Sequence, residues 1–299
     1  MKRLFVLAFV LAAVSACFAQ FTFTSIDFPG SNLTTARGIN NHGDVVGSYR
    51  LPGGGVRHAM LLSKGVFSAL LPDGILGQRQ SEAFKINDRG DIVGQFLGED
   101  GLLHGFLLTN GGTFTVIDMP GFAQTHAFGI NSSGTVAGYG ELFDADGNVT
   151  EYHGFVWQKG AFTRIDFLEK GDTAITGINE RGDVVGMYDG GIADPNGHAF
   201  VISNKVRISY DVPVAGITLT QFNDINAQGQ IVGSWLENDG ITTHAFLLSG
   251  AAFAELDFPN ATPLTSAWGI NSLGQVVGTY QMGGPSHGFL AQPRKGQPY

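Results

Sequence analysis

One phrase recurs along this chain and limits what it can fold into. GINNHGDVVGSY (38–49) returns as KINDRGDIVGQF (85–96), GINSSGTVAGYG (129–140), GINERGDVVGMY (177–188), DINAQGQIVGSW (224–235) and GINSLGQVVGTY (269–280). Its asparagines, Asn40, Asn87, Asn131, Asn179, Asn226 and Asn271, are 47, 44, 48, 47 and 45 residues apart. A repeat of that period overrides any guess from the length of 299 residues and matches one four-stranded sheet of a β-propeller.

Four strands are legible in each copy. The first ends at the Asn (ARGIN, AFKIN, AFGIN, ITGIN, FNDIN, AWGIN). An Asn-x-x-Gly turn follows, in which the Asn side chain bonds the backbone two residues on and the Gly takes a left-handed conformation. The second strand closes on a glycine (Gly47, Gly94, Gly138, Gly186, Gly233, Gly278), which suits close backbone approach. The third opens on a histidine, and its apolar run predicts burial on both faces. The fourth reads like TFTVID (113–118), and Pro often ends it.

The sixth copy lacks a fourth strand, while FTFTSIDFPG (21–30) is a fourth strand with no copy before it. Pairing 21–28 with 287–290 closes the ring and leaves no free sheet edge at the seam. The expected fold is therefore all-β: a single six-bladed β-propeller of four-stranded blades over 20–292, with 293–299 as a tail. A monomer is expected.

The combination GIN…G-x-V-V-G…HAF-L-L, with His-Ala-Phe at 198–200 and 244–246, resembles the bacterial HAF extracellular repeat over 21–290. Copies one, two, three and six read HAM or HGF instead. The resemblance implies export from a bacterium and supplies no catalytic residues.

Residues 1–19 read as a signal peptide: Lys2 and Arg3, then an apolar core at 4–14 too short to span a bilayer. Cleavage after Ala19 makes the protein secreted or periplasmic. Val14-Ser15-Ala16-Cys17 also resembles a lipobox, and cleavage there leaves it lipid-anchored at Cys17. Cys17 is the only cysteine, so no disulfide holds the exported part. No later run is long enough for a transmembrane segment. Without Lys2 and Arg3, 15 basic residues face 26 acidic ones, which argues against nucleic acid or anionic lipid as partner.

Candidate sites divide into repeated and unrepeated positions. His58, His104, His153, His198, His244 and His287 recur once per copy, as do the six asparagines, and both series read as structure. His42 and His126 fall outside the series with no assigned role. Asp144-Ala145-Asp146-Gly147-Asn148 resembles the start of a calcium loop, making Asp144 and Asp146 the metal candidates and Ca2+ the one cofactor to consider. The Asn-to-His interval varies from 16 to 22 residues while the Asn-x-x-Gly turns are uniform, so variation collects on one face of the disc. Beside the uniform motif stand six unlike residues, Arg37, Phe84, Phe128, Thr176, Asn223 and Trp268, expected at the mouth of the central channel as ligand contacts. An aromatic set, Tyr49, Phe96, Tyr139, Tyr188, Trp235 and Tyr280, is expected to pack between blades.

The function this supports is a binding scaffold whose ligand, a glycan or a protein, sits on the variable face. A polysaccharide hydrolase or lyase is the alternative, with acidic candidates Asp144, Asp146, Glu151 and Glu237. A structural envelope component is the third reading.

Overall fold

The computed structural model describes residues 21–53, 55–70, 79–168, 171–189, 196–261 and 264–294. The proposed leader with Cys17, Asp194 of one acidic loop and the tail from 295 lie outside the described residues. The described part is all-β with no helix.

Each copy contributes consecutive antiparallel strands. The first gives β2 (Leu33–Ile39), β3 (Val45–Arg50), β4 (His58–Ser63) and β5 (Val66–Ala69). The second gives β6 (Ser81–Ile86), β7 (Ile92–Leu97), β8 (Leu103–Leu108) and β9 (Phe114–Ile117), and the third β10 (Gln124–Ile130), β11 (Val136–Phe143), β12 (Val149–Gln158) and β13 (Ala161–Ile165). From the fourth come β14 (Thr173–Ile178), β15 (Val184–Asp189), β16 (Gly197–Ser203) and β17 (Val206–Tyr210), and from the fifth β18 (Ile217–Ile225), β19 (Ile231–Glu237), β20 (Thr243–Ser249) and β21 (Ala252–Glu255). The sixth has β22 (Thr265–Ile270), β23 (Val276–Gln281) and β24 (Ser286–Pro293), and its fourth strand is β1 (Phe21–Ile26) from the start of the chain.

That seam runs Phe21↔Pro293 through Ile26↔Gly288. The N-terminal strand stops at Ile26 rather than 28, and its partner residues are 288–293 rather than 287–290, so Pro293 is ladder rather than tail. A second difference lies in copies four and five. A single parallel pair, Gly197↔Leu219, joins their strands into one eight-stranded sheet. Gly197 allows it: a Cβ there would fall on the Leu219 side chain.

Between consecutive copies lies an apolar cluster, and the series returns to its start. One cluster joins Val277 and Leu290 of the last copy to Ile39, Val45 and Met60 of the first, with Ile26 between. First strands are buried along their length, as in β6 and β14, whereas β17 at the rim is mostly exposed. Third strands are buried only at their centres, where Met60, Phe106, Phe155, Phe200, Phe246 and Phe289 sit at 0% exposure. Their ends are half-buried or exposed, so the expected two-sided burial holds over two to four residues per strand.

The asparagines hold the inner ends together. Asn40 Oδ1 accepts the amides of His42 (3.0 Å) and Asp44 (2.9 Å), and Gly43 takes φ +82° to close the turn. Asn40 Nδ2 then donates to the backbone carbonyl of Asn87. The same bond links Asn87 to Asn131, Asn131 to Asn179, Asn179 to Asn226 and Asn226 to Asn271. Asn271 donates back to Asn40 at 3.0 Å, and the ring of six is closed.

The second-strand glycines meet a backbone carbonyl in every copy. A Cβ on Gly47 would fall on the Thr35 carbonyl, and on Gly94, Gly138, Gly186, Gly233 or Gly278 on the matching one. Gly47→Ala is therefore expected to cost about 1–3 kcal/mol, as overpacking of a rigid core does, read as a lower denaturation midpoint in urea.

Candidate functional site

All six first strands carry a bulge at the same place. Pairing with the second strand skips one residue between Ala36 and Gly38, Ala83 and Lys85, Ala127 and Gly129, Ile175 and Gly177, Phe222 and Asp224, and Ala267 and Gly269. The skipped residues are Arg37, Phe84, Phe128, Thr176, Asn223 and Trp268. A bulge leaves its extra residue unpaired and re-aims the side chain. All six line one axial cavity.

Arg37, Phe128 and Trp268 are partly exposed. Phe84, Thr176 and Asn223 are buried, and the ring is packed against itself. Phe84 stacks on Phe128 at 4.2 Å, and the Arg37 guanidinium lies over Trp268 at 3.8 Å. Thr176 Oγ1 donates to the Phe222 carbonyl, and Asn223 Nδ2 to that of Ala267. Burial pulls the Arg37 pKa down to about 10, against the opposing pull of Glu82.

The next position holds glycine in four copies, at Gly38, Gly129, Gly177 and Gly269. The reason is crowding around the axis: a Cβ on Gly38 would lie 2.7 Å from the Phe84 carbonyl oxygen, and one on Gly177 3.0 Å from Asp224 Cα. The exceptions are Lys85 and Asp224, three copies apart, and they form an ion pair across the axis. Asp224 Oδ2 also accepts the Ile270 amide. Burial raises the Asp224 pKa despite the opposing charge and hydrogen bond of Lys85. Lys85 borders both the cavity of the bulged ring and the opening lined by the asparagine ring.

A second unrepeated group stands beside Arg37. Arg57 Nη1 donates to Glu82 Oε2 at 3.1 Å, and Gln95 Nε2 reaches Glu82 Oε1 at 3.5 Å. Gln95 Oε1 pairs with His126 Nδ1 at 2.5 Å, and His126 Nε2 lies 3.5 Å from Glu141 Oε1. This gives His126 the surroundings that sequence alone left blank. Buried polar atoms are nearly always hydrogen-bonded. Among the described residues six such atoms have no hydrogen-bond partner: Arg37 Nε, Asn223 Oδ1, Asp224 Oδ1, His126 Nε2, Trp235 Nε1 and Thr279 Oγ1. Three of the six belong to residues lining the axial cavity.

The remaining candidates sit in turns and packing. Nδ1 of His104, His153, His198, His244 and His287 pairs with Asp118, Asp166, Asp211, Asp257 and Asp27 at 2.6–2.8 Å, clamping third strand to fourth. The last pair makes the same clamp across the seam. His58 tilts against Tyr49, as His198 does against Tyr188. Asp144 Oδ1 accepts the backbone amides of Asp146 and Asn148, so its carboxylate caps its own exposed turn. His42 is an exposed turn residue.

Tyr139 leaves the aromatic set. Tyr49, Phe96, Tyr188, Trp235 and Tyr280 pair with Thr34, Ser81, Thr173, Thr220 and Thr265, but Tyr139 pairs with His126. It follows its glycine by one residue rather than two, and a shift of one turns a strand side chain to the other face. Gly140 holds the vacated position, and Phe122 fills the space. The other five pack as expected: Tyr49 stacks on Phe28 and Tyr280 on Phe258, both at 3.7 Å.

No protein-family model and no curated protein sequence matches the chain. Among solved structures it is similar to a gluconolactonase from Xanthomonas campestris (10% identity, 92% of this chain, 90% of that one, TM-score 0.53). It is also similar to the Aleuria aurantia lectin in complex with α-methyl-L-fucoside (11%, 92%, 99%, 0.52). The β-propeller domain of the Trilobed protease from Pyrococcus furiosus aligns over 89% of this chain at 9% identity and TM-score 0.48. The repeated four-stranded groups and the closed ring of asparagine bonds make the fold propeller-like. Identities this low bear on fold alone.

Proposed function

We propose that the chain is an exported, closed six-bladed β-propeller of the HAF repeat class that serves as a binding scaffold. The strand groups, the six inter-copy clusters and the cyclic asparagine bonds support the blade count. Export rests on the sequence of residues 1–19. One observation carries the binding reading. Of the six buried polar atoms without partners among the described residues, three stand at the axis, on residues that differ from copy to copy, where packing alone would favour apolar side chains. The ligand is an extracellular glycan or protein, engaged at the axis from the side of Glu82 and His126.

A glycan array probed with residues 20–299 tests this. Arg37→Met keeps the stem over Trp268 and removes the charge, and it is expected to weaken binding at least tenfold, with Trp268→Ala doing the same. Retention of the wild-type melting curve separates this from misfolding. Undiminished binding in both variants would place the ligand elsewhere.

The chain Arg57–Glu82–Gln95–His126–Glu141 favours a second reading, an enzyme acting on polysaccharide, since it sets carboxylates and a histidine side by side. Release of reducing or unsaturated ends, abolished by His126→Ala, is its signature.

A further inference from the structure

The histidine clamp differs in the fifth copy. There His244 Nδ1 meets Asp257 Oδ2 at 2.6 Å and lies 4.0 Å from Glu255 Oε1, while His244 Nε2 meets Glu237 Oε1 at 3.1 Å. Ligand atoms of His244, Glu255 and Asp257 all fall within 4.8 Å of one another. The position two before the clamping Asp is Val116, Arg164, Ser209 and Ser25 in the other clamped copies, so an acid stands there only in the fifth.

The third copy shows what belongs in that place. Arg164 Nε donates to Asp166 Oδ2 at 2.7 Å, and Arg164 Nη2 lies 2.9 Å from His153 Nδ1. A resident guanidinium thus neutralises the His153–Asp166–Glu151 group. The fifth copy keeps the histidine and its Asp, meets Nε2 with Glu237 from β19 where the third copy uses Glu151 of β12, replaces the arginine by a third acid, and has no Lys or Arg ion-paired to the group among the described residues. Three carboxylates thus crowd one imidazole. The Asp257 carboxylate is held by the Ala245 amide at 2.8 Å, and the His244 ring is stacked on Trp235 at 4.8 Å. Oriented ligands of this kind are what a metal site needs around it.

We propose that His244, Glu255 and Asp257, with Glu237 beside them, bind a divalent first-row transition ion. One imidazole with carboxylates suits zinc, iron, nickel or cobalt better than calcium, which takes oxygen alone. The ion takes the place that the Arg164 guanidinium occupies in the third copy.

The test uses residues 20–299 stripped with EDTA. Titration calorimetry with ZnCl2 is expected to show one site, and NiCl2 to quench the fluorescence of Trp235. Glu255→Gln should weaken zinc binding about 10–100-fold, the usual effect of removing a ligand or its support, and leave melting in EDTA unchanged. Glu255→Arg, which copies the third repeat, should abolish zinc binding and raise the melting temperature in EDTA. His42→Ala, an exposed histidine elsewhere, should change neither. An absence of zinc binding at millimolar concentration, or equal affinity in wild type and Glu255→Gln, overturns the proposal.

Discussion

Lys85→Gly is expected to destabilise the fold by about 3–5 kcal/mol, although glycine is the residue that four of the other five copies carry there. Sequence averaging calls this a reversion to consensus and predicts a gain. Charge burial decides the other way. The Asp224 side chain is 1% exposed and its only ion-pair partner among the described residues is Lys85, so removing the lysine strands a carboxylate at the centre of the molecule. Asp224→Gly strands the ammonium in turn. In Lys85→Gly/Asp224→Gly most of the loss should return, because a buried pair is often near neutral against its uncharged replacement. A double-mutant cycle by urea denaturation measures the coupling, expected to be the larger part of either single loss. Acid gives a further check. The folded Asp224 pKa is raised above its unfolded value, so its protonation favours the fold: the contribution is full below the unfolded carboxylate range and lost as pH rises through the folded pKa. Without Lys85 that shift grows, and the penalty of Lys85→Gly should shrink below about pH 4. An equal penalty at pH 4 and pH 7 would mean that packing, not charge, is at stake.

Removal of residues 20–27 should abolish the cooperative fold or lower its melting temperature by well over about 10 °C. The segment carries Phe21, 2% exposed in the last apolar cluster, and Phe23 packed on Phe258. Ser25 bonds the Tyr280 hydroxyl at 2.7 Å, and Asp27 clamps His287 at 2.7 Å. Truncating one buried phenylalanine alone costs about 3–5 kcal/mol, and here a whole ladder goes with it, exposing β24 as an edge. A peptide of residues 20–28 added in trans should restore part of the loss. A truncated chain that melts like the parent would show that the seam carries no stability.

The strand plan was legible in the sequence because the repeat, the Asn-x-x-Gly turns and the unpaired FTFTSID segment are local signals repeated six times. The bulge was not. It leaves no mark in composition, and the skipped residues were noticed only because they differ among copies. Their placement on one axis followed, but their packing on one another did not, since nothing in six unlike side chains says that they fill the space between them. Lys85 and Asp224 were in view as KIN and DIN among four GIN copies. Their pairing needs the knowledge that copies two and five face each other across a ring. Tyr139 shows the reverse error: counting aromatics near a glycine ignored a one-residue shift that decides which side of a strand a side chain takes. The His244 group was hidden because the histidine series reads as packing in every copy, and its acids come from the ends of two different strands, β19 and β21, or just past them.

The pairing of β1 with β24 also fixes an order of events. β1 is synthesised long before its partner, which lies 262–272 residues later, and contacts so distant in sequence form late. Until residues 288–293 are made, Phe21 and Phe23 have no sheet to join and remain exposed to other chains. Every copy between them can hold its local hairpins earlier, but the circle can shut only after synthesis has passed the sixth. Whatever guards the nascent chain must therefore guard its beginning for the longest time, and the residues that lock the finished ring are the ones that wait.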